Sequence, residues 1–354
     1  MQSIELESFS PSTQIYCNKG VVRTISTFLS HRAILIADRN VPGISEVAEM
    51  ASAALLTLEG GESVKSEKKA KWLVQELMRL KADRETTLIA MGGGTVTDLV
   101  SFVASVYLRG MPLILVPTTL LAMVDAAIGG KNAINTRLGK NLIGTFYFPK
   151  TILIDPAFLQ TLPEQEWFHG RVEMWKLGLI SDVSLWEKPD LWRAIQGKCS
   201  IVRRDPKDQG ERRILNFGHT IGHALEKLSN YQLPHGEAVA IGCVAESHLS
   251  YQMGYLSYKE FRSIADFYSC FPLALPKCYA RQSLQNALLS DKKRVGNEVR
   301  FVLIDRIGHA MPFDGAYCRK ISWDQCQSTL DWLEDTYQNS RLVKPALHQK
   351  KPRD

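Results

Sequence analysis

The chain has 354 residues, 45% hydrophobic and 23% charged, with a net charge of +6. That length implies about two domains with a sizeable core, and that composition argues against disorder or a coiled coil as a global description. The positive balance admits nucleic acid, a membrane surface or an anionic small substrate. Basic residues are interspersed with acids, however, and no long basic run precedes the tail 341–354, which is expected to be a flexible basic end.

The first seven residues are acidic and lack an apolar core, so no signal peptide is read there, and the apolar run 99–108 is interrupted by Ser101 and Ser105 and is too short to span a bilayer. Neither a membrane nor a nucleic-acid partner is expected. The seven cysteines are odd in number and form no CxxC pair, which fits reduced thiols in a cytoplasmic compartment. In chain order, 32–37 is a buried strand, 44–55 a helix, 70–80 an amphipathic helix and 86–91 a second buried strand, ending at Gly92-Gly93-Gly94. A helix over 98–107 and a strand over 113–116 follow. Strand, crossover helix, strand marks a parallel sheet with helices on both faces. The Gly-, Asn- and Lys-rich stretch 129–144 breaks the alternation as a functional loop or hairpin. After a short strand over 151–155 the pattern turns mostly helical, which places a boundary near 155–163.

Three histidines, His219, His223 and His235, fall within seventeen residues of a chain that has eight. On a helix, His219 and His223 share one face, and His235 follows a polar turn where a second helix can begin and fold back. Convergence from separate segments suits a metal; a satisfied core histidine pair is the competing reading. The glycine run at 92–94 suits a phosphate-binding turn at a helix N-terminus, or is a tight turn. Asp98 faces a ribose or amide, or is a first-turn acid favoured by the helix dipole. Asp38 and Asn40, at a strand end, are ribose partners or turn residues. Arg109, Lys131, Lys140 and Asn141 beside glycines suit a polyanionic substrate, although no Walker A loop is present. Glu173 and Lys176 stand at helical spacing: a third metal ligand and its neighbour, or an exposed pair.

Taken together, the strings GGGTVTDL, YLRG, VPTTLLAMVD, GGKNAIN, LGKNLIG, TLP, VEMWK, LNFGHTIGHA, HGEAV and DKK closely resemble the 3-dehydroquinate synthases, within the sugar-phosphate cyclases. The resemblance runs from about residue 38 to 308. It implies a Rossmann-like α/β NAD-binding domain with a parallel sheet at 1–160, a mostly α-helical metal- and substrate-binding domain at 161–340, an active site between them, a homodimer and a place in the shikimate route.

By motif, the resemblance makes Glu173, His219 and His235 the ligands of Zn2+ (or Co2+), and His223 an active-site histidine rather than a ligand. It makes Arg109, Asp125, Lys131, Lys140, Asn141, Lys176, Lys198, Arg212 and Asn216 substrate contacts, with Lys292 or Lys293. It places Asp38, Asn40, Glu62, Lys65, Gly93, Gly94, Thr95, Asp98, Thr118, Thr119, Lys131, Lys140 and the turn Phe158, Leu159, Gln160, Thr161 beside NAD. The implied substrate is an anionic sugar phosphate, 3-deoxy-D-arabino-heptulosonate 7-phosphate, taken to 3-dehydroquinate by transient oxidation, phosphate elimination, re-reduction and aldol closure. The chain departs from the family pattern at Ala126, Ala127, Asn132 and Ala133, and reads VEMWK where AEVIK is usual. Alternatives are another cyclase of the 2-deoxy-scyllo-inosose or 2-epi-valiolone synthase type, a metal-dependent alcohol dehydrogenase, or a non-catalytic relative.

Overall fold

Continuous apolar runs form the centre of a seven-stranded sheet, because strands covered on both faces have no side to leave polar. In this computed structural model, residues 1–6, 12–289 and 298–337 are described. Lys292, Lys293 and the tail 341–354 lie outside the described residues. The chain divides into two compact units, Met1–Glu173 with Asp190–Lys207, and Met174–Pro189 with Asp208–Asp354.

The first unit holds β1 (Gln2–Leu6), β2 (Thr13–Cys17), β3 (Ala33–Asp38), β4 (Ala54–Leu58), β5 (Thr87–Gly92), β6 (Leu113–Pro117), β7 (Lys131–Thr136), β8 (Gly139–Phe146) and β9 (Thr151–Ile154). The sheet order is β1-β2-β9-β6-β5-β3-β4, parallel throughout except for the β1–β2 edge pair. Strand alternation divides its core. Leu35, Ala37, Ile89, Met91, Ile114, Val116 and Leu153 pack with Val21, Val22 and Ile25 of a 3-10 turn and with Val47 and Ala48 of α1 (Ile44–Met50). The sheet also packs on α3 (Gly94–Val106), which lies against α2 (Glu67–Arg79). The helix expected over 44–55 is shorter than read: it stops at Met50, and Ala54–Leu58 is the edge strand β4, with alternating burial. The stretch 129–144 resolves as the antiparallel hairpin β7–β8.

Helix α4 (Glu164–Ile180) runs unbroken from the first unit's share of the chain into the second's; the division falls between its consecutive residues Glu173 and Met174. Then come α5 (Val183–Glu187), α6 (Leu191–Arg204), α7 (His219–Leu228), α8 (His235–Gln252), α9 (Tyr258–Tyr268), α10 (Arg281–Leu289) and α11 (Trp323–Tyr337), of which α6 belongs to the first unit. Two small antiparallel pairs, β10 (Glu298–Phe301) with β13 (Arg319–Ser322) and β11 (Ile304–Arg306) with β12 (His309–Ala310), complete the otherwise helical second unit. No helix among the described residues is long and apolar enough to cross a membrane, and all seven cysteines are free.

Asp155, buried just past β9, is the clasp of the first unit. Its Oδ1 accepts from Gly20 N (3.0 Å) and Ala157 N (3.0 Å), and its Oδ2 accepts from Val22 N (3.4 Å). Asp155→Ala leaves one buried and two part-buried N–H donors without this acceptor, at a cost of about 2–4 kcal/mol. Urea denaturation should show that loss of stability, with divalent-cation affinity unchanged.

Candidate active site

The chain order of the sheet defines where a ligand crevice belongs. From β3 the chain moves outward to β4; from β5, on the other side of β3, it moves the opposite way to β6. Open α/β sheets bind ligands at such a reversal, beyond the carboxyl ends of the strands. The residues there are Asp38 and Gly92, adjoining the paired positions Ala37 and Met91. Asp38 Oδ1 accepts from Asn40 N (2.9 Å), so the pair closes its own turn, and a Cβ on Gly60 would stand 2.9 Å from Asp38 Oδ2 and 3.0 Å from Asn40 Nδ2. Across the reversal, a Cβ on Gly92 would meet Val96 at 2.8 Å and one on Gly93 would meet Thr119 at 3.1 Å. Glycine therefore lets α3 start directly against the strand ends. No side chain caps α3, and its first-turn amides and positive dipole end suit an anion. Thr118 N donates to the Gly92 carbonyl (2.9 Å).

A polar web continues from this turn. Glu62 accepts from Thr95 Oγ1 (3.2 Å) and Asn135 Nδ2 (2.6 Å). The buried Lys65 pairs with Asp98 and donates to Asn141 Oδ1 (2.6 Å). Burial pushes the Asp98 carboxyl up to about 6, against the opposing pull of Lys65. Phe158, Leu159, Gln160 and Thr161 form most of the 3-10 turn Pro156–Thr161, with Phe158 packed on the sheet core.

Asp125 lies in a single π-helical turn, Ala122–Ala126, and pairs with Lys198 of α6. Arg109 and Asn141 have left-handed backbones (φ 65° and 56°), as does Leu108 (φ 50°), a conformation that is costly without glycine and found disproportionately at functional sites. Lys131 opens β7 and is exposed; Lys140 lies on β8, half-buried.

The metal-ligand candidates lie on α4, α7 and α8. Glu173 and Lys176 are both buried, at 2% and 1% exposure, which removes the reading of an exposed surface pair. Lys176 Nζ donates to the Leu215 carbonyl (2.8 Å), beside Asn216 and near the buried Arg212 in the 3-10 turn Glu211–Asn216. His219 opens α7, and His235 opens α8. Ligand atoms of Glu173, His219 and His235 lie within 4.8 Å of one another. His219 Nδ1 lies 3.1 Å from the Phe217 carbonyl, which assigns the proton to Nδ1 and leaves Nε2 for a metal. Burial holds the His219 imidazole well below its ordinary pKa, helped by the positive charge of Lys176 and the neighbouring His223 and His235. His223 points its Nε2 toward Glu226 Oε2 (3.9 Å), and the same oxygen stands 3.4 Å from His235 Nδ1. The ring centroids of His219 and His223 are 5.1 Å apart, and those of His219 and His235 are 5.4 Å apart.

Two buried glutamates escaped the sequence reading. Glu226, three residues after His223, stands beside His235 Nδ1, where a carboxylate would orient the imidazole and leave its Nε2 for a metal. Glu246 binds the backbone at the start of α7. Only the helical spacing from His223 could have signalled the first.

This fold is that of the sugar-phosphate cyclases. A 2-deoxy-scyllo-inosose synthase solved with carbaglucose-6-phosphate, NAD+ and Co2+ superimposes with a TM-score of 0.82 at 23% identity, covering 93% of this chain and 99% of that one. A 2-epi-5-epi-valiolone synthase from Streptomyces hygroscopicus subsp. jinggangensis 5008, with NAD+ and Zn2+ bound, gives 0.82 at 25% identity, covering 91% and 96%. In sequence, the 3-dehydroquinate synthase N-terminal family matches residues 55–169, and the 3-dehydroquinate synthase C-terminal family matches residues 170–294. The 3-dehydroquinate synthase of Desulforamulus reducens is 37% identical over 340 residues (87% of this chain, 95% of that protein), and that of Chlamydia muridarum is 40% identical over 300 residues (77% and 80%). The chain belongs to the 3-dehydroquinate synthase family.

Because the folded-state pKa of His219 is depressed, the unfolded chain binds more protons below the ordinary histidine pKa of about 6.5. Stability from keeping it neutral is complete above that pH and is lost as pH falls toward the folded-state value. The metal-free protein should lose up to about 1.4 kcal/mol per pH unit through this group in urea titrations below pH 6.5. His219→Gln should flatten that slope; an unchanged slope would contradict the assignment.

Proposed function

We propose that this protein is a 3-dehydroquinate synthase, an NAD- and metal-dependent carbon–oxygen lyase that converts 3-deoxy-D-arabino-heptulosonate 7-phosphate to 3-dehydroquinate and phosphate. The supporting observation is the convergence of one buried carboxylate and two imidazoles in a chain of this family. That donor set suits Zn2+ or Co2+, and three protein ligands would leave coordination positions for substrate. The glycines at the sheet reversal, which let the uncapped start of α3 lie against the strand ends, likewise suit a nucleotide. When bound, NAD supplies a reversible hydride acceptor and the cation a Lewis acid for the substrate hydroxyls.

The remaining work falls to the side chains. The α3 amides would hold the NAD pyrophosphate, and Asp38 and Asn40 would meet the ribose. Arg109 offers a planar fork, and Lys131, Lys140, Lys198 and Arg212 supply point or forked charge, to a substrate bearing both carboxylate and phosphate. Asp125 orients the Lys198 ammonium. His223, exposed and directed at Glu226, takes or delivers protons. Lys176 is fixed on Leu215, so it aligns the turn carrying Asn216. A cytoplasmic homodimer is part of the same reading, by family resemblance.

The deciding experiment incubates purified protein with the heptulosonate phosphate, catalytic NAD and Zn2+ or Co2+, and follows phosphate release and the carbocycle formed. Stoichiometric phosphate and 3-dehydroquinate without net NADH are expected. A different carbocycle from another sugar phosphate would favour a sister cyclase; NADH accumulation with a polyol would favour an alcohol dehydrogenase. Arg109→Ala should cost about 1.5–3 kcal/mol in kcat/KM for the charged substrate, with NAD affinity little changed. Equal losses for both ligands would remove Arg109 from the substrate site.

A further inference from the structure

Helix α7 begins without a cap of its own. Its N-cap residue, Gly218, is left-handed (φ 76°) and offers no side chain, so the first-turn N–H groups must find acceptors elsewhere. Glu246 of α8, fully buried, provides them. One carboxylate oxygen accepts from Gly218 N (2.8 Å), and the other accepts from Thr220 N (3.0 Å) and Ile221 N (3.1 Å). These three amides bracket His219.

Glu246 is also in register with the other imidazole. It lies eleven residues after His235 on α8, and at about 3.6 residues per turn that returns to nearly the same side of the helix. One stripe of α8 therefore presents His235 and grips the turn that presents His219. The contact has little slack. A Cβ on Gly242 would overlap the Gly218 carbonyl, and one on Gly222 would stand 3.0 Å from the Ala238 carbonyl. A buried carboxylate is costly where packing alone is needed; here it opposes the positive end of α7 and fixes that end in place.

We propose that Glu246 is a positioning residue of the metal centre: by capping α7 from α8 it sets where His219 stands relative to His235, and so sets cation affinity and coordination geometry. The inference rests on the ligand assignment under Proposed function. It is tested on the full chain, stripped by chelator and titrated with Co2+ against a chelating dye, with the visible Co2+ spectrum, NAD affinity and urea midpoint recorded for wild type, Glu246→Gln, Glu246→Asp and His219→Ala. Glutamine keeps the length but puts an NH2 where a second acceptor is needed. Glu246→Gln should bind Co2+ roughly 10- to 100-fold more weakly, with altered visible bands and unchanged NAD affinity; Glu246→Asp should show the same direction with a smaller loss. Wild-type Co2+ affinity and spectrum in Glu246→Gln, with stability alone reduced, would overturn the proposal. Should Glu246→Gln not fold, Glu246→Asp carries the same readouts. Failure of both to fold with excess Co2+ would also overturn it, since the carboxylate would then hold the fold rather than the centre. Undiminished Co2+ binding by His219→Ala would instead overturn the ligand assignment.

Discussion

Gly218 and Gly242 allow two helices to approach more closely than any side chain would permit, and the histidine trio depends on that approach. Imidazoles reach only a short distance from their backbones, so a pair on different helices meets only if the helices nearly touch. The small residues of the GHTIGH and HGEAVAIG strings are as necessary to this cluster as the histidines themselves, although they carry no chemistry.

Such packing excludes water, and the surrounding charges acquire their properties from that exclusion. Glu173, Lys176, Arg212, Glu226 and Glu246 are all buried in a protein with ample surface for charge. In a low-dielectric interior a charge held by a designated partner fixes that partner in turn. Lys176 on the Leu215 carbonyl and Glu226 on two imidazoles show how a polar group kept dry also serves as a rigid support. At the sheet reversal the same logic joins Lys65, Asp98 and Asn141.

The central strands were legible because both their faces are covered, which writes Ala33–Asp38, Thr87–Gly92 and Leu113–Pro117 as unbroken apolar runs. Gln2–Leu6 and Thr13–Cys17 went unread: short and mixed in polarity, they are strands because β9 and each other provide partners. Residues 51–53 contain no glycine or proline to mark the end of α1, so β4 was read as more helix. In the site, His219 was readable as a helical residue one turn from His223 and His235 as the place where a second helix begins, and the ligand role expected of them came from the whole set of strings. Glu226 and Glu246 look like surface residues of ordinary helices. Their meaning comes from what a second helix places against them, which no local pattern records.

The sheet also carries a constraint on biogenesis. β2 occupies Thr13–Cys17, yet its parallel neighbour β9 spans Thr151–Ile154, with Gln14 opposite Thr151 and Cys17 opposite Ile154. During synthesis from the amino end, β2 must wait until more than a hundred later residues have left the ribosome before its parallel neighbour is available. Pairings so remote in sequence form late and slowly. Until β9 arrives, the inner edge of β2 has no partner from the sheet, and an unpaired strand edge of that kind is open to wrong pairings.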